Sequence, residues 1–174
     1  MGTKRIGLAR VEALVENLKR EINFGAGTKL VGHRIPVESV TANDTLTAAE
    51  SGTIYVFADA AAVLTLPDSG AGDIIGTHYT FISNFAGTGQ EVKCTDTTNE
   101  MFIGAILGAD SGDDTTTGTW SAEVGDAYSS IEFTAAAEGE LGSHFTVINY
   151  AADRWLIKGT VLHDGSIGTP FAAS

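Results

Sequence analysis

The chain has one cysteine, three prolines and few charges. The single Cys94 excludes an internal disulfide. A small body without disulfides must hold itself together by core packing or by oligomerisation. Charged residues make up 18% of the sequence, below the roughly 25% of an average soluble protein, which predicts a surface that partly meets other chains. No stretch approaches the run of about 18 apolar residues that a membrane-spanning helix needs. The segment from Met1 to Val15 carries Lys4, Arg5, Arg10 and Glu12 where a secretory signal needs an apolar stretch. Gly2 is followed by Ile6 where a myristoylation signal has Ser or Thr. These absences predict a protein made in a cytoplasm, with no membrane partner.

Catalytic and metal-binding patterns are also missing. The four histidines, His33, His78, His144 and His163, lie far apart, and there is no Cys-x-x-Cys or His-x-x-x-His spacing to preorganise zinc. Neither Ser111-Gly112 nor Ser166 with Gly168 meets the Gly-x-Ser-x-Gly pattern of a nucleophile elbow. The run Gly70-Ala71-Gly72-Asp73-Ile74-Ile75-Gly76 is one residue off a dinucleotide fingerprint. It follows Pro67 and leads into a strand pattern where a nucleotide fold needs a helix, so it is expected to be a hairpin loop. The acidic run Asp110-Ser111-Gly112-Asp113-Asp114 offers oxygen ligands but lacks the order and closing Glu of an EF-hand, which leaves a solvated loop. Asn43-Asp44-Thr45 matches a glycosylation sequon by chance in a chain without a secretory signal. The expectation is of no catalytic residue, no metal and no cofactor.

What the chain does have is an uneven charge. Residues 1 to 34 hold seven of the ten basic residues, Lys4, Arg5, Arg10, Lys19, Arg20, Lys29 and Arg34, against Glu12, Glu16 and Glu21. The remainder holds three bases, Lys93, Arg154 and Lys158, against nineteen acids. Such an acidic body repels nucleic acid, while a basic arm seeks an acidic surface on a partner or a sister copy.

The arm reads as an amphipathic helix. Thr3 caps its start, no proline interrupts Arg5 to Ile22, and Asn23-Phe24-Gly25 stops it. Leu8, Val11, Val15, Leu18 and Ile22 recur at intervals of three and four, forming one apolar stripe that Leu14 widens. A lone helix of this length is marginal in water. Docking within an assembly is therefore expected, with Lys4, Arg5, Leu8, Arg10, Val11, Val15, Leu18, Lys19, Arg20 and Ile22 as candidate partner-binding residues.

After Gly25-Ala26-Gly27 the period changes from 3.6 to 2, which divides the chain into an arm, 1–27, and a β domain, 28–174. Strands are predicted over Ile35 to Thr41, Thr53 to Phe57, Val63 to Leu66, Thr77 to Ser83, Glu91 to Thr95, Met101 to Leu107, Thr119 to Val124, Ser129 to Thr134, Ser143 to Tyr150 and Arg154 to Leu162. The last two form a hairpin that sets Trp155 beside aromatic or β-branched neighbours. Ala48 to Gly52 alternatively forms a short helical turn. Gly, Ser, Asp and Asn clusters between the segments are turn chemistry. The fold class expected is mainly β, a sandwich or barrel of about ten short strands with one N-terminal amphipathic α-helix. No fixed period recurs, which argues against a solenoid.

Several stretches resemble a module of tailed-bacteriophage virion structural proteins, particularly marine and cyanobacterial ones. They are Leu46 to Phe57 with its Glu50-Ser51-Gly52 turn, then Val63-Leu64-Thr65-Leu66-Pro67, then Gly76 to Ile82 ending in Tyr79-Thr80-Phe81-Ile82. Gly142 to Tyr150, Trp155-Leu156-Ile157-Lys158-Gly159 and the tail to Pro170-Phe171 resemble the module's terminal hairpin. Thr3 to Arg20 resembles the start of small capsid-associated proteins of the same phages. Together these cover about half the chain and leave out residues 88–127. The resemblance implies a capsid decoration, or cement, protein on the virion surface, often a homotrimer, whose partner is the major capsid protein. It also implies a β-sandwich or barrel without an active site. Two other classes remain open. A tail fibre or knob that binds host glycans would use exposed aromatics such as Trp120 and Tyr128, and a glycan hydrolase would need two carboxylates facing each other across a cleft.

Overall fold

The computed structural model describes residues 34–58, 61–84, 89–112, 117–123, 125–133, 139–163 and 168–173. The chain divides into Met1–Arg34 and Ile35–Ser174. The arm, 1–27, predicted to be helical, and all ten of its candidate partner-binding residues lie outside the described residues.

The body is mainly β. In chain order its strands are β1 (Val37–Val40), β2 (Asp44–Thr45), β3 (Ile54–Phe57), β4 (Val63–Thr65), β5 (His78–Ser83), β6 (Gln90–Lys93), β7 (Met101–Asp110), β8 (Thr117–Ala122), β9 (Ser130–Phe133), β10 (His144–Ala151), β11 (Arg154–His163) and β12 (Phe171–Ala172). They form a seven-stranded sheet, β1-β3-β5-β10-β11-β7-β8, and a five-stranded sheet, β12-β9-β6-β4-β2. One continuous hydrophobic core joins them, so the architecture is a β-sandwich rather than a closed barrel. Each of the ten predicted segments overlaps a strand, with ends that differ by up to three residues. The two additional strands, β2 and β12, are two residues long, too short for an alternating pattern to register. The Ala48–Glu50 segment is a 3-10 turn, with the Glu50 carboxylate accepting from the Thr47 amide at 2.6 Å and its hydroxyl at 2.7 Å.

The first six strands alternate between the two sheets. β1, β3 and β5 stack in parallel in one sheet, and β2, β4 and β6 do the same in the other. Parallel neighbours require a crossover connection, and here each crossover is a strand of the opposite sheet. The first half therefore winds as three stacked turns, which the expectation against a solenoid did not foresee. The turns are unequal in length, since Val37, Ile54 and Thr80 are aligned in one sheet and Asp44, Leu64 and Val92 in the other. An unequal repeat leaves no period in the sequence. For the same reason the Gly70–Gly76 loop is not a hairpin. It carries the chain from β4 in one sheet to β5 in the other, and glycine-rich turn chemistry does not distinguish the two routes.

The second half is mostly antiparallel. β10 and β11 form the expected hairpin, closed at Ala151 opposite Arg154 with Asp153 in the left-handed region at φ 58. Trp155 lies opposite Phe102 in the parallel β7 ladder and 6.3 Å from the Tyr79 ring. Alternation puts Tyr79 and Phe81 of β5, Phe145 and Val147 of β10, and Trp155 and Ile157 of β11 on one buried face. Phe81 and Phe145 rings sit 5.1 Å apart, and Phe133 of the opposite sheet meets Phe145 at 6.0 Å. A buried Glu100 ties two loops together, accepting from the Ser69 amide and hydroxyl, each at 2.5 Å, and from the Asp96 amide at 2.8 Å.

Candidate interaction surfaces

Strand registers define what each sheet shows on the side away from the core. On the seven-stranded sheet one outward row runs Val37, Ile54, Thr80, Thr146, Lys158, Ala105 and Ser121. The next runs Ser39, Val56, Ile82, His144, Thr160, Leu107 and Thr119, and a shorter one runs His78, Ile148, Leu156 and Ile103. None of these positions is Asp or Glu, although the body holds nineteen acids. Leu107 is 47% exposed and Leu156 38%, and Tyr150 near the hairpin turn is 45% exposed. The Thr80 and Thr146 hydroxyls bond each other at 3.1 Å, so part of the polar content of this face is already satisfied. Two of the body's three cations, Lys158 and Arg154, belong to it. Arg154 is held in place, donating to the Asp153 carbonyl at 2.7 Å.

The five-stranded sheet has the opposite character. Glu91 lies directly across from Glu132 in the antiparallel β6–β9 ladder, a like-charge pairing that costs stability. The two outer faces thus differ in sign. One is apolar, threonine-rich and weakly cationic, and the other carries paired carboxylates.

Concavities among the described residues include one cleft and one shallow groove. A cleft of about 150 Å³ opens between β1 and β2, lined by Glu38, Val40, Asn43, Asp44, Tyr55 and Leu64 among others. That is below the roughly 300–1,000 Å³ of a small-molecule pocket. A shallow groove of about 340 Å³ runs over Thr45, Val63, Thr65 and Lys93. Among the described residues no cluster of three or more His, Cys, Asp or Glu could hold a metal. No helix among them is long and apolar enough to cross a membrane.

The aromatics that a glycan-binding fibre would expose are placed otherwise. Trp120 and Tyr128 are both half-buried and packed against the core. Trp120 lies over Gly108, where any Cβ would come within 2.4 Å of its ring, and meets His163 edge-on at 6.3 Å. Tyr128 stacks on Phe171 at 5.5 Å. Both side chains pack against the core, a use that hydropathy does not separate from surface display.

Three buried groups carry perturbed acidities. Burial pushes the Cys94 thiol well above its ordinary range, and Glu100 and Asp96 push it further. Burial likewise raises the hydroxyls of Tyr55 and Tyr79. Tyr79 donates to the Thr47 carbonyl at 2.7 Å, whereas the Tyr55 hydroxyl has no hydrogen-bond partner among the described residues. None of these groups is poised to give up a proton near neutral pH. The outward face of the seven-stranded sheet was not singled out from the sequence. Its signal was there: Ile54-Tyr55-Val56-Phe57 and Tyr79-Thr80-Phe81-Ile82 carry β-branched residues on the outward positions as well as aromatics inward, the pattern of a strand covered on both sides.

No protein-family model, curated protein or solved structure matches the chain.

Proposed function

We propose that this protein is a structural component of a tailed-phage virion that decorates the major capsid shell and strengthens it by bridging neighbouring subunits, acting as a homotrimer and not as an enzyme. The observation that carries the reading is the outward face of the seven-stranded sheet. A broad surface of Val, Ile, Leu and Thr without a single carboxylate, in a strongly acidic body, suits contact with another macromolecule better than contact with water. High copy number multiplies a modest interface of this kind into a large mechanical effect on a shell. The acidic remainder keeps particles apart and turns nucleic acid away. The basic arm supplies a second attachment, through Lys4, Arg5, Arg10, Lys19 and Arg20.

The test is a decoration assay. Shells assembled without this protein are mixed with the full chain, with a chain lacking residues 1–24, and with Leu107→Glu/Leu156→Glu, and bound protein is measured after sedimentation. Full occupancy is expected only for the unaltered chain. Undiminished occupancy by both variants would refute the proposal. The fibre reading lacks an exposed aromatic platform in Trp120 and Tyr128, and no observation favours it over decoration.

A further inference from the structure

The three stacked turns end abruptly at β1 and β2. Each is the edge strand of its sheet, with no neighbouring strand among the described residues. The Ile54 amide donates to the Pro36 carbonyl at 2.9 Å and the Ala58 amide to the Val40 carbonyl at 2.8 Å. The even-numbered residues of β1 therefore serve the ladder to β3, and alternation turns the amides and carbonyls of Val37 and Ser39 to the open side. Ile35, 56% exposed, and Val37, 63% exposed, flank this edge. An edge with exposed apolar side chains and no neighbouring strand among the described residues is a template for another strand.

Beneath that edge lies the β1–β2 cleft. Its floor is Tyr55 and Leu64 of the second turn, and Glu38 and Asp44 contribute carboxylates to its lining. Tyr55 is 2% exposed, and its hydroxyl has no hydrogen-bond partner among the described residues. A buried hydroxyl with nothing to bond is costly, and this one borders a space that an incoming group could fill.

We infer that the β1 edge and the cleft beneath it form one docking site for an extended segment of a partner protein, which adds as a strand to β1 and directs a lysine or arginine side chain between Glu38, Asp44 and the Tyr55 hydroxyl. Backbone bonding to Val37 and Ser39 provides affinity and the cleft selects the side chain, which is the division of labour in strand-addition recognition. Charge favours a basic partner segment over a second copy of β1, because self-pairing would bring together the carboxylates of both copies. The site does not depend on the decoration role.

The probes are two short extended peptides of alternating valine and threonine, one with a single central lysine and the other with glutamate in its place, titrated into the full chain by calorimetry. The lysine peptide binds, and the glutamate peptide binds at least about tenfold more weakly. Ser39→Pro removes an amide that faces away from the ladder, a position where an edge strand tolerates proline, and abolishes binding of the lysine peptide. Glu38→Gln/Asp44→Asn leaves a folded protein that no longer distinguishes the peptides. Equal affinity for both peptides, binding of neither, or unchanged binding by a folded Ser39→Pro protein would each overturn the inference. So would dimerisation of the unaltered chain that Ser39→Pro removes, since a second copy would then own the edge. If Ser39→Pro does not fold, the loss of lysine preference in the double variant still decides the matter.

Discussion

Replacing Gly159 by alanine should destabilise the sandwich more than any other single-carbon change in β11. Gly159 lies at the centre of that strand, opposite Phe145 of β10 and Ile106 of β7. An added Cβ would sit 2.3 Å from the His144 carbonyl oxygen and 2.5 Å from both Cα and Cβ of Phe145. Two of these three atoms are backbone, so no rotamer change relieves the clash and the two central strands must separate. Overpacking of a core typically costs 1–3 kcal/mol, and backbone involvement places this case at about 3 kcal/mol. For a body of this size that lowers Tm by roughly 6–12 °C. Gly125→Ala is the control, because nothing lies within 4 Å of its added carbon. It should be neutral or stabilising by up to about 1 kcal/mol. Thermal melts followed by near-ultraviolet circular dichroism separate the two outcomes. A Gly159→Ala protein that melts within about a degree of the unaltered chain would refute the strand registers on which the fold account rests.

Glu100→Ala should cost about 3 kcal/mol in chemical denaturation, since it leaves the Ser69 amide, the Ser69 hydroxyl and the Asp96 amide without their acceptor; a cost below about 1 kcal/mol would show that water replaces the carboxylate. The buried Cys94 thiol, held protonated by burial and by Glu100 and Asp96, should resist alkylation in the native protein and react on unfolding, as mass spectrometry after a timed pulse would read. The Asn99 side chain, first, and the Thr98 amide hold the Asp96 carboxyl below its ordinary range. A depressed carboxylate adds stability above its unfolded value that is lost as pH falls through the folded one. Asn99→Ala should therefore move the Asp96 titration upward by NMR, and an unmoved midpoint would contradict the assignment.

Much of the fold is legible in the sequence because the alternation is strong. Tyr79 and Phe81 in the first segment and Phe145 and Val147 in the second fall on alternate positions, and both segments are strands with one buried face. Trp155 was recognisable as a hairpin residue with aromatic neighbours because its turn, Ala151-Ala152-Asp153, is short. Connectivity was not legible. Whether the chain after Leu66 reverses beside β4 or crosses to the other sheet depends on which strand end covers the most apolar surface, and the local run Asp68 to Gly76 is compatible with both routes. Two-residue strands such as Asp44–Thr45 are defined by their ladder partners Leu64 and Thr65, not by their own residues. The surfaces were legible only in part. The paucity of acids in the strand segments is visible in the sequence, but that the outward positions of seven strands align into one face without carboxylates requires the registers. The cleft at Tyr55 was invisible, because Glu38, Asp44 and Tyr55 converge only once the turns are stacked.

The central claim, attachment through a surface in place of chemistry, is tested most directly by an image reconstruction of particles of the phage proposed to carry the protein. The account predicts twelve-stranded density on the outside of the capsid shell, with the seven-stranded sheet turned toward a neighbouring subunit. Density confined to the tail tip, or a particle without the protein, would contradict it.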